Sequence, residues 1–154
     1  MIKQIKKTEF LKAFDMQKKS FKPMFEKYQD ETSPYKESFA KLVSRTTKPN
    51  FKMYWIVVNN TKVGQIWVAT KNETTILARM FILPKYQNNG YATNAINDIE
   101  RLYSQYNHWW LDTIKEEKKN VHLYQKFGYL PSGKEKIINN KMTIIEFEKE
   151  ISDE

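Results

Sequence analysis

The chain has no cysteine and only two histidines, four glycines and five prolines among its 154 residues. Without cysteine it has no disulfides, no thiolate metal ligands and no cysteine nucleophile. Two histidines with no acidic cluster around them point to no metal site. Long apolar runs are missing too: nothing approaches the length that crosses a bilayer. The N-terminus "MIKQIKKTEF" lacks the apolar stretch of a signal peptide. The expectation is a cytoplasmic protein with no membrane partner. Glycine is so scarce that Gly64, Gly90, Gly128 and Gly133 each mark a turn, a bulge or a close backbone approach.

What is present is enough for one domain spanning residues 1–154. The chain is 40% hydrophobic and 14% aromatic, with charge interleaved throughout, which is not a disorder composition. The formal charge of +8 suits either an anionic partner or a solvated lysine-rich surface. The lysines are spread along the chain, the tail "FEKEISDE" is acidic, and no groove-reading arginine cluster exists. Nucleic acid is therefore not the expected partner.

Periodicity predicts the element order β-α-α-β-β-β-α-β-α-β-β, a mixed α/β domain around one twisted sheet. "MIKQIKK" reads as a first strand. "TEFLKAFDMQKKSFKPMF" reads as a helix capped by Thr8, with Phe10, Leu11, Phe14 and Phe21 on one face and Pro23 ending or kinking it. Ser33-Pro34 is a cap and first-turn pair, with Phe39, Leu42 and Val43 pointing inward. Asn59-Asn60 separates two strands of a hairpin. "TTILARMFIL" is apolar enough to be central. Ala92, Ala95, Ile96, Ile99, Leu102 and Tyr103 fall at helical spacing. At least one of Trp109 and Trp110 belongs to the core. "EEKKNVHLYQKFGY" is a short helix with Gly128 as a left-handed cap, and a closing hairpin turns at Asn139-Asn140.

The informative stretch is Phe81 to Thr93, "FILPKYQNNGYAT". An apolar strand ends at Pro84, and a polar turn with Gly90 opens directly into a helix. The first N–H groups of a helix have no internal partner and carry the positive end of its dipole, so this junction suits an anion. A plain strand–helix turn is the other reading. No Gly-Lys-Ser/Thr follows, as a nucleotide P-loop requires, and the three-glycine dinucleotide fingerprint is absent.

Gln87-x-x-Gly90-x-Ala92 after a strand and before an amphipathic helix resembles the coenzyme A loop of the GNAT acetyltransferase superfamily, Arg/Gln-x-x-Gly-x-Gly/Ala. "NVHLYQKFGY" is similar to that family's later helix, with Tyr124 at the matching offset from Gly128-Tyr129. The element order agrees along nearly the whole chain. The resemblance implies a central, mostly antiparallel sheet of six to seven strands flanked by about four helices. It implies acetyl transfer from acetyl-CoA to a primary amine of a small molecule, peptide or protein, without a metal. Gln87, Asn88, Asn89, Gly90, Tyr91, Ala92 and Thr93 would hold the pyrophosphate. Phe81, Ile82 and Leu83 would pair with the pantetheine arm, and Tyr124 would protonate the departing thiolate. Where many family members carry an asparagine this chain has Glu117, and Asn120 is its replacement on the Tyr124 face of the helix. Homodimers occur in the family. A non-catalytic coenzyme A-binding or nucleic-acid-binding module on the same fold is the alternative.

The acceptor is expected between the N-terminal helices. "KYQDETSPYKES" brings Tyr28, Asp30, Glu31, Tyr35 and Glu37 together, and carboxylates with aromatics suit a cationic amine; a capped helix start with solvated charges gives the same pattern. Arg79 on the central strand is a further acceptor candidate. No general base stands out: Glu73 lies before the central strand, Asp112 reads as a structural hydrogen-bond acceptor, and His122 reads as structural. Lys85, Lys118, Lys119 and Lys126 flank the loop and account for part of the positive charge.

Overall fold

A computed structural model describes residues 1–151; the last three residues of the acidic tail, 152–154, lie outside the described residues. The elements run β1 (Ile2–Gln4), α1 (Phe10–Tyr28), α2 (Phe39–Thr46), β2 (Phe51–Val58), β3 (Thr61–Lys71), β4 (Thr74–Ile82), α3 (Tyr91–Leu102), β5 (His108–Ile114), α4 (Lys118–Lys126), β6 (Leu130–Asn139) and β7 (Met142–Glu150). The seven strands form one sheet in the order β1-β2-β3-β4-β5-β7-β6, so β4 is its middle strand. Neighbours pair antiparallel except β4 and β5, which run parallel. The predicted element order and mixed sheet are those observed.

Alternation along the strands builds two cores. One face gathers Ile66, Val68, Leu77, Trp109, Leu111 and Phe147 under Ile96 and Ile99 of α3 and Tyr124 of α4. The other gathers Met53, Trp55 and Trp67 under Ala13 of α1 and Leu42 of α2. Trp109 is fully buried, and Trp110 is only half-buried on the opposite face. Asn59 and Asn60 both have positive φ (49° and 64°), the geometry that lets a two-residue turn follow the strand twist.

Four local expectations are corrected. The helix α1 does not stop at Pro23 but continues to Tyr28. Pro23 and Lys19 both lie on the exposed face, so the carbonyl that loses its partner meets water. Thr8 is not the cap: Lys7–Glu9 is a 3-10 turn and Glu9 caps α1. Leu11, Phe39 and Leu102 are exposed rather than buried, at 59%, 37% and 53%. The last hairpin turns at Asn140-Lys141, because Asn139 stays in β6 and uses its side-chain amide to hold the Tyr28 carbonyl at 2.9 Å.

One irregularity positions everything that follows. Along the β3–β4 ladder Val68 faces Leu77 but Trp67 faces Arg79, so Ala78 is an extra residue bulged out of β4. A bulge bends its strand and increases the twist. The β4–β5 pairing ends just before it, at Ile76 with Trp110. Beyond that pair the two middle strands part.

Gly64 fixes the far end of β4. A Cβ there would sit 2.1 Å from the Phe81 carbonyl oxygen. Backbone cannot swing aside as a side-chain tip can. Gly64→Ala should therefore displace Phe81 and Ile82 and destabilise the fold by about 2–3 kcal/mol, as overpacking does. A lowered urea midpoint at unchanged slope would show it; an unchanged midpoint would mean that β3 can retreat from β4.

Candidate active site

Where β4 and β5 part, a cavity of about 730 Å³ opens through the sheet. Its walls are Leu77–Ile82 of β4, Asp112–Ile114 of β5, the C-terminal half of α1, the loop before α3, and α4. Beyond Ile76 the β5-facing edge of β4 has no strand partner, so its backbone groups face the cavity.

The loop at one end is built for an anion. Asn88 and Gly90 have positive φ (67° and 77°) while Asn89 does not, which folds the chain back on itself. The Gln87 side-chain amide donates to the Ile82 carbonyl at 2.9 Å, and Asn89 donates to the Tyr86 and Gln87 carbonyls at 3.0 and 3.1 Å. These bonds use side chains and leave the main chain free. Among the described residues, no acceptor pairs with the N–H groups from Asn88 to Thr93. The last three of them are the first turn of α3, so the positive end of its dipole points the same way. Gly90 supplies its left-handed φ rather than relief from a clash, since a Cβ there would meet nothing within 4 Å. Lys119 reaches the loop from α4 and hydrogen-bonds the Asn88 side-chain oxygen, and Lys126 also lines the cavity.

Of the residues assigned to a coenzyme by resemblance, Phe81, Ile82, Gln87, Asn88, Gly90, Tyr91, Ala92, Thr93 and Asn120 line this cavity, whereas Leu83 and Asn89 stand behind it. Tyr124 lines it from α4 and is buried, its ring edge-on to Tyr129 at 5.9 Å. Burial pushes its phenol pKa well above the usual value, so the group stays protonated at neutral pH. Gly128, at φ 90°, ends α4 with the Tyr129 N–H bonded to the Tyr124 carbonyl at 3.1 Å, which fixes the helix turn that carries Tyr124.

The other end of the cavity is acidic. Tyr28, Asp30, Asp112 and Glu117 line it, with Met142 and Ile144 of β7 as its apolar floor. Asp30 is committed to its own turn, accepting from the Thr32 N–H at 2.9 Å and hydroxyl at 2.6 Å. Glu117 accepts from Tyr28 Oη at 2.5 Å and Lys27 Nζ at 2.7 Å. Burial pulls the Glu117 pKa up, but those two donors outweigh it and hold it below the ordinary value. Burial and the carboxylate together push the Tyr28 phenol up. This bridge ties the end of α1 to the start of α4 and closes one side of the cavity. Asp112 differs from the sequence expectation: it accepts no hydrogen bond among the described residues.

Three acceptor candidates sit differently from their sequence grouping. Glu31 is exposed and pairs with Lys36 at 3.8 Å. Tyr35 stacks on Phe25 at 5.3 Å, and neither Glu31 nor Tyr35 lines the cavity. Arg79 does line it, but its guanidinium donates to Gln17 Oε1 and Glu37 Oε2, both at 2.7 Å, and lies over the Trp67 ring. Sequence reasoning missed Glu117 as the partner of Tyr28, because 89 residues separate them. It also read His122 as structural, whereas His122 is exposed and lines the cavity.

Among the described residues no helix is long and apolar enough to cross a membrane, and no group of acidic and histidine side chains is placed to hold a metal. No curated protein sequence matches this chain. Solved structures do. A ribosomal-protein-S18-alanine N-acetyltransferase from Escherichia coli superposes with a TM-score of 0.78 at 13% identity, over 99% of this chain and 94% of that one. A spermidine N-acetyltransferase from Vibrio cholerae, in complex with CoA and spermine, gives 0.74 at 18% identity, over 96% and 93%. A PaiA N-acetyltransferase from Thermoplasma acidophilum, in complex with coenzyme A, gives 0.72 at 13% identity, over 98% of each chain. At such identities these likenesses establish the fold alone. The sequence profile of the acetyltransferase (GNAT) family matches residues 12–129, and with most of its length so matched the chain belongs to that acetyltransferase family.

Proposed function

We propose that this acetyltransferase moves an acetyl group from acetyl-CoA to a primary amine, carried by a small cationic molecule or by a peptide or protein, in the cytoplasm. The observation that carries the reading is the run of N–H groups from Asn88 to Thr93 without acceptors, set where β4 and β5 part. A pyrophosphate fits that donor set, and Lys119 and Lys126 add charge beside it. The open edge of β4 at Phe81 and Ile82 offers backbone groups to an extended amide-bearing arm. Asn120 presents a side-chain amide to the same arm. Tyr124 supplies the proton that the leaving sulfur needs. Tyr28 and the acidic end around it receive the amine, as suits a cation; the Vibrio cholerae relative was solved with spermine, a polycation.

The reading predicts a melting temperature that rises with acetyl-CoA. At about a hundred times its Kd a ligand stabilises by roughly 2.7 kcal/mol, or about 8 °C for a domain of this size. Differential scanning fluorimetry checks this. No shift at millimolar acetyl-CoA would remove the reading.

A further inference from the structure

The acidic end of the cavity holds three carboxylates, and two are already occupied. Asp30 is tied to Thr32, and Glu117 to Tyr28 and Lys27. Asp112 alone has neither a hydrogen-bond donor nor an ion pair among the described residues. It is two residues past Trp110, the last residue of β5 that pairs with β4. Alternation turns it away from Leu111 and Thr113, toward the α1 side, together with Ile114. Directly opposite on β7 stands Glu146. Two like charges facing each other across antiparallel strands destabilise a sheet, and of the two only Asp112 lines the cavity, an uncompensated carboxylate where a cation belongs.

We propose that Asp112 is the general base of the reaction: it receives the acceptor's ammonium group and takes its proton. The inference rests on the acetyltransferase reading above. The sheet then divides the two proton transfers between its faces. Asp112 lies on the α1 side of the gap, and Tyr124 belongs to the core on the α3–α4 side. Asp112 accepts a proton from the ammonium, the freed nitrogen lone pair forms the C–N bond, and the C–S bond breaks with its electron pair leaving on sulfur. Tyr124 protonates that sulfur. The nitrogen sheds a second proton, which restores Tyr124 through solvent, and Asp112 later returns its own to water. The net products are an amide, a thiol and one proton.

The surrounding charges set the pH dependence. Glu146 stands opposite Asp112 on β7; sharing the cavity with it are Tyr28 and Asp30 from the end of α1 and its loop, Glu117, Lys119, His122 and Lys126 from α4, and Arg79 from β4, already paired with Glu37. Asp112 keeps contact with solvent; partial desolvation at the cavity wall, then the Glu146 charge, raise its pKa above the usual aspartate value. The acid limb of kcat/KM should therefore lie above the usual aspartate value.

The test follows thiol release from acetyl-CoA with spermidine as the probe amine, and with water alone as acceptor. The chain has no cysteine, so every thiol counted is product. Asp112→Asn should keep the acetyl-CoA melting shift of the wild type and lose about a hundredfold or more in rate with either acceptor. The spermidine defect should shrink near pH 10, where a free amine needs no base. Glu146→Gln should keep activity and move the acid limb to lower pH. His122→Asn should leave the limb in place. If Asp112→Asn keeps both rate and limb, or if the limb follows His122, the inference is overturned while the acetyl-CoA shift leaves the parent reading intact. If the wild type shows no acetyl-CoA shift, the parent reading falls and takes the inference with it.

Discussion

Glu37→Ala should destabilise the fold by about 3–5 kcal/mol, the cost of stranding a buried charge. Glu37 is buried and holds two guanidinium groups at once, Arg79 and Arg45, each at 2.7 Å. Arg45 is half-exposed and can turn to water. Arg79 cannot: only 15% of its side chain is accessible, and it is enclosed by Trp67, Gln17 and Glu37. The expected fall in melting temperature is on the order of 10 °C, against a small one for Arg45→Ala. Replacing both partners by apolar residues, Arg79→Met with Glu37→Leu, should recover much of the loss. A loss no greater than that of Arg45→Ala would mean that Gln17 and Trp67 suffice to hold Arg79.

The pH dependence has a definite sign. Burial pushes the Glu37 carboxyl up, but Arg45 and Arg79 outweigh it and set its folded pKa below the ordinary value. The stabilisation is therefore fully present above the unfolded pKa, near 4.5, and is lost as the pH falls through the lower, folded value. Acid unfolding monitored by circular dichroism should be steeper in the wild type than in Glu37→Ala below that point. The network matters for function because Arg79 is next to the bulge at Ala78 and Gln17 is on α1. Together they fasten the helix that walls the acidic end of the cavity to the strand whose bulge opens it.

The loop end of the cavity was legible in the sequence because its signals are local. Gln87, Asn88, Asn89, Gly90 and Ala92 are consecutive or nearly so, and left-handed backbone at Asn88 and Gly90 is what those residue types tolerate. Strand periodicity found β2 to β5, where alternation and apolar runs coincide with real burial. The acidic end was half legible. Tyr28 and Asp30 line the cavity, but proximity in sequence also swept in Glu31, exposed in the turn before Ser33, and Tyr35, half-buried against Phe25 in the 3-10 turn at Pro34–Lys36; neither lines the cavity. The partners of these residues come from elsewhere in the chain. Glu117 meets Tyr28 through the docking of α4, Glu146 faces Asp112 through a strand register, and Glu37 meets Arg79 across two elements. No local pattern encodes such meetings. The continuation of α1 past Pro23 is the same lesson in backbone form: proline's cost depends on what the freed carbonyl faces, which only the tertiary structure decides.

Tyr124→Phe should lower turnover about a hundredfold while leaving acetyl-CoA binding and stability nearly unchanged. A core tyrosine would behave otherwise. Tyr129 shows the contrast: its hydroxyl is sealed from solvent, has no partner among the described residues, and faces no cavity, so Tyr129→Phe should be neutral or stabilising with no effect on rate. Tyr124 is equally aromatic and nearly as buried, yet it borders the gap between β4 and β5, and its hydroxyl donates to no acceptor among the described residues. Burial keeps that phenol protonated through the neutral range, which a group that must hand a proton to a departing thiolate requires. An alkyl thiol such as that of cysteine has a pKa of about 8.5, so expulsion of the bare thiolate near neutral pH is uphill, and the missing proton should appear in kcat rather than in KM. Steady-state thiol release at saturating acetyl-CoA, paired with the melting shift on acetyl-CoA, separates the alternatives: a full shift with a crippled kcat assigns the proton to Tyr124, and a full shift with wild-type kcat makes Tyr124 one more ring in the core beside Tyr129.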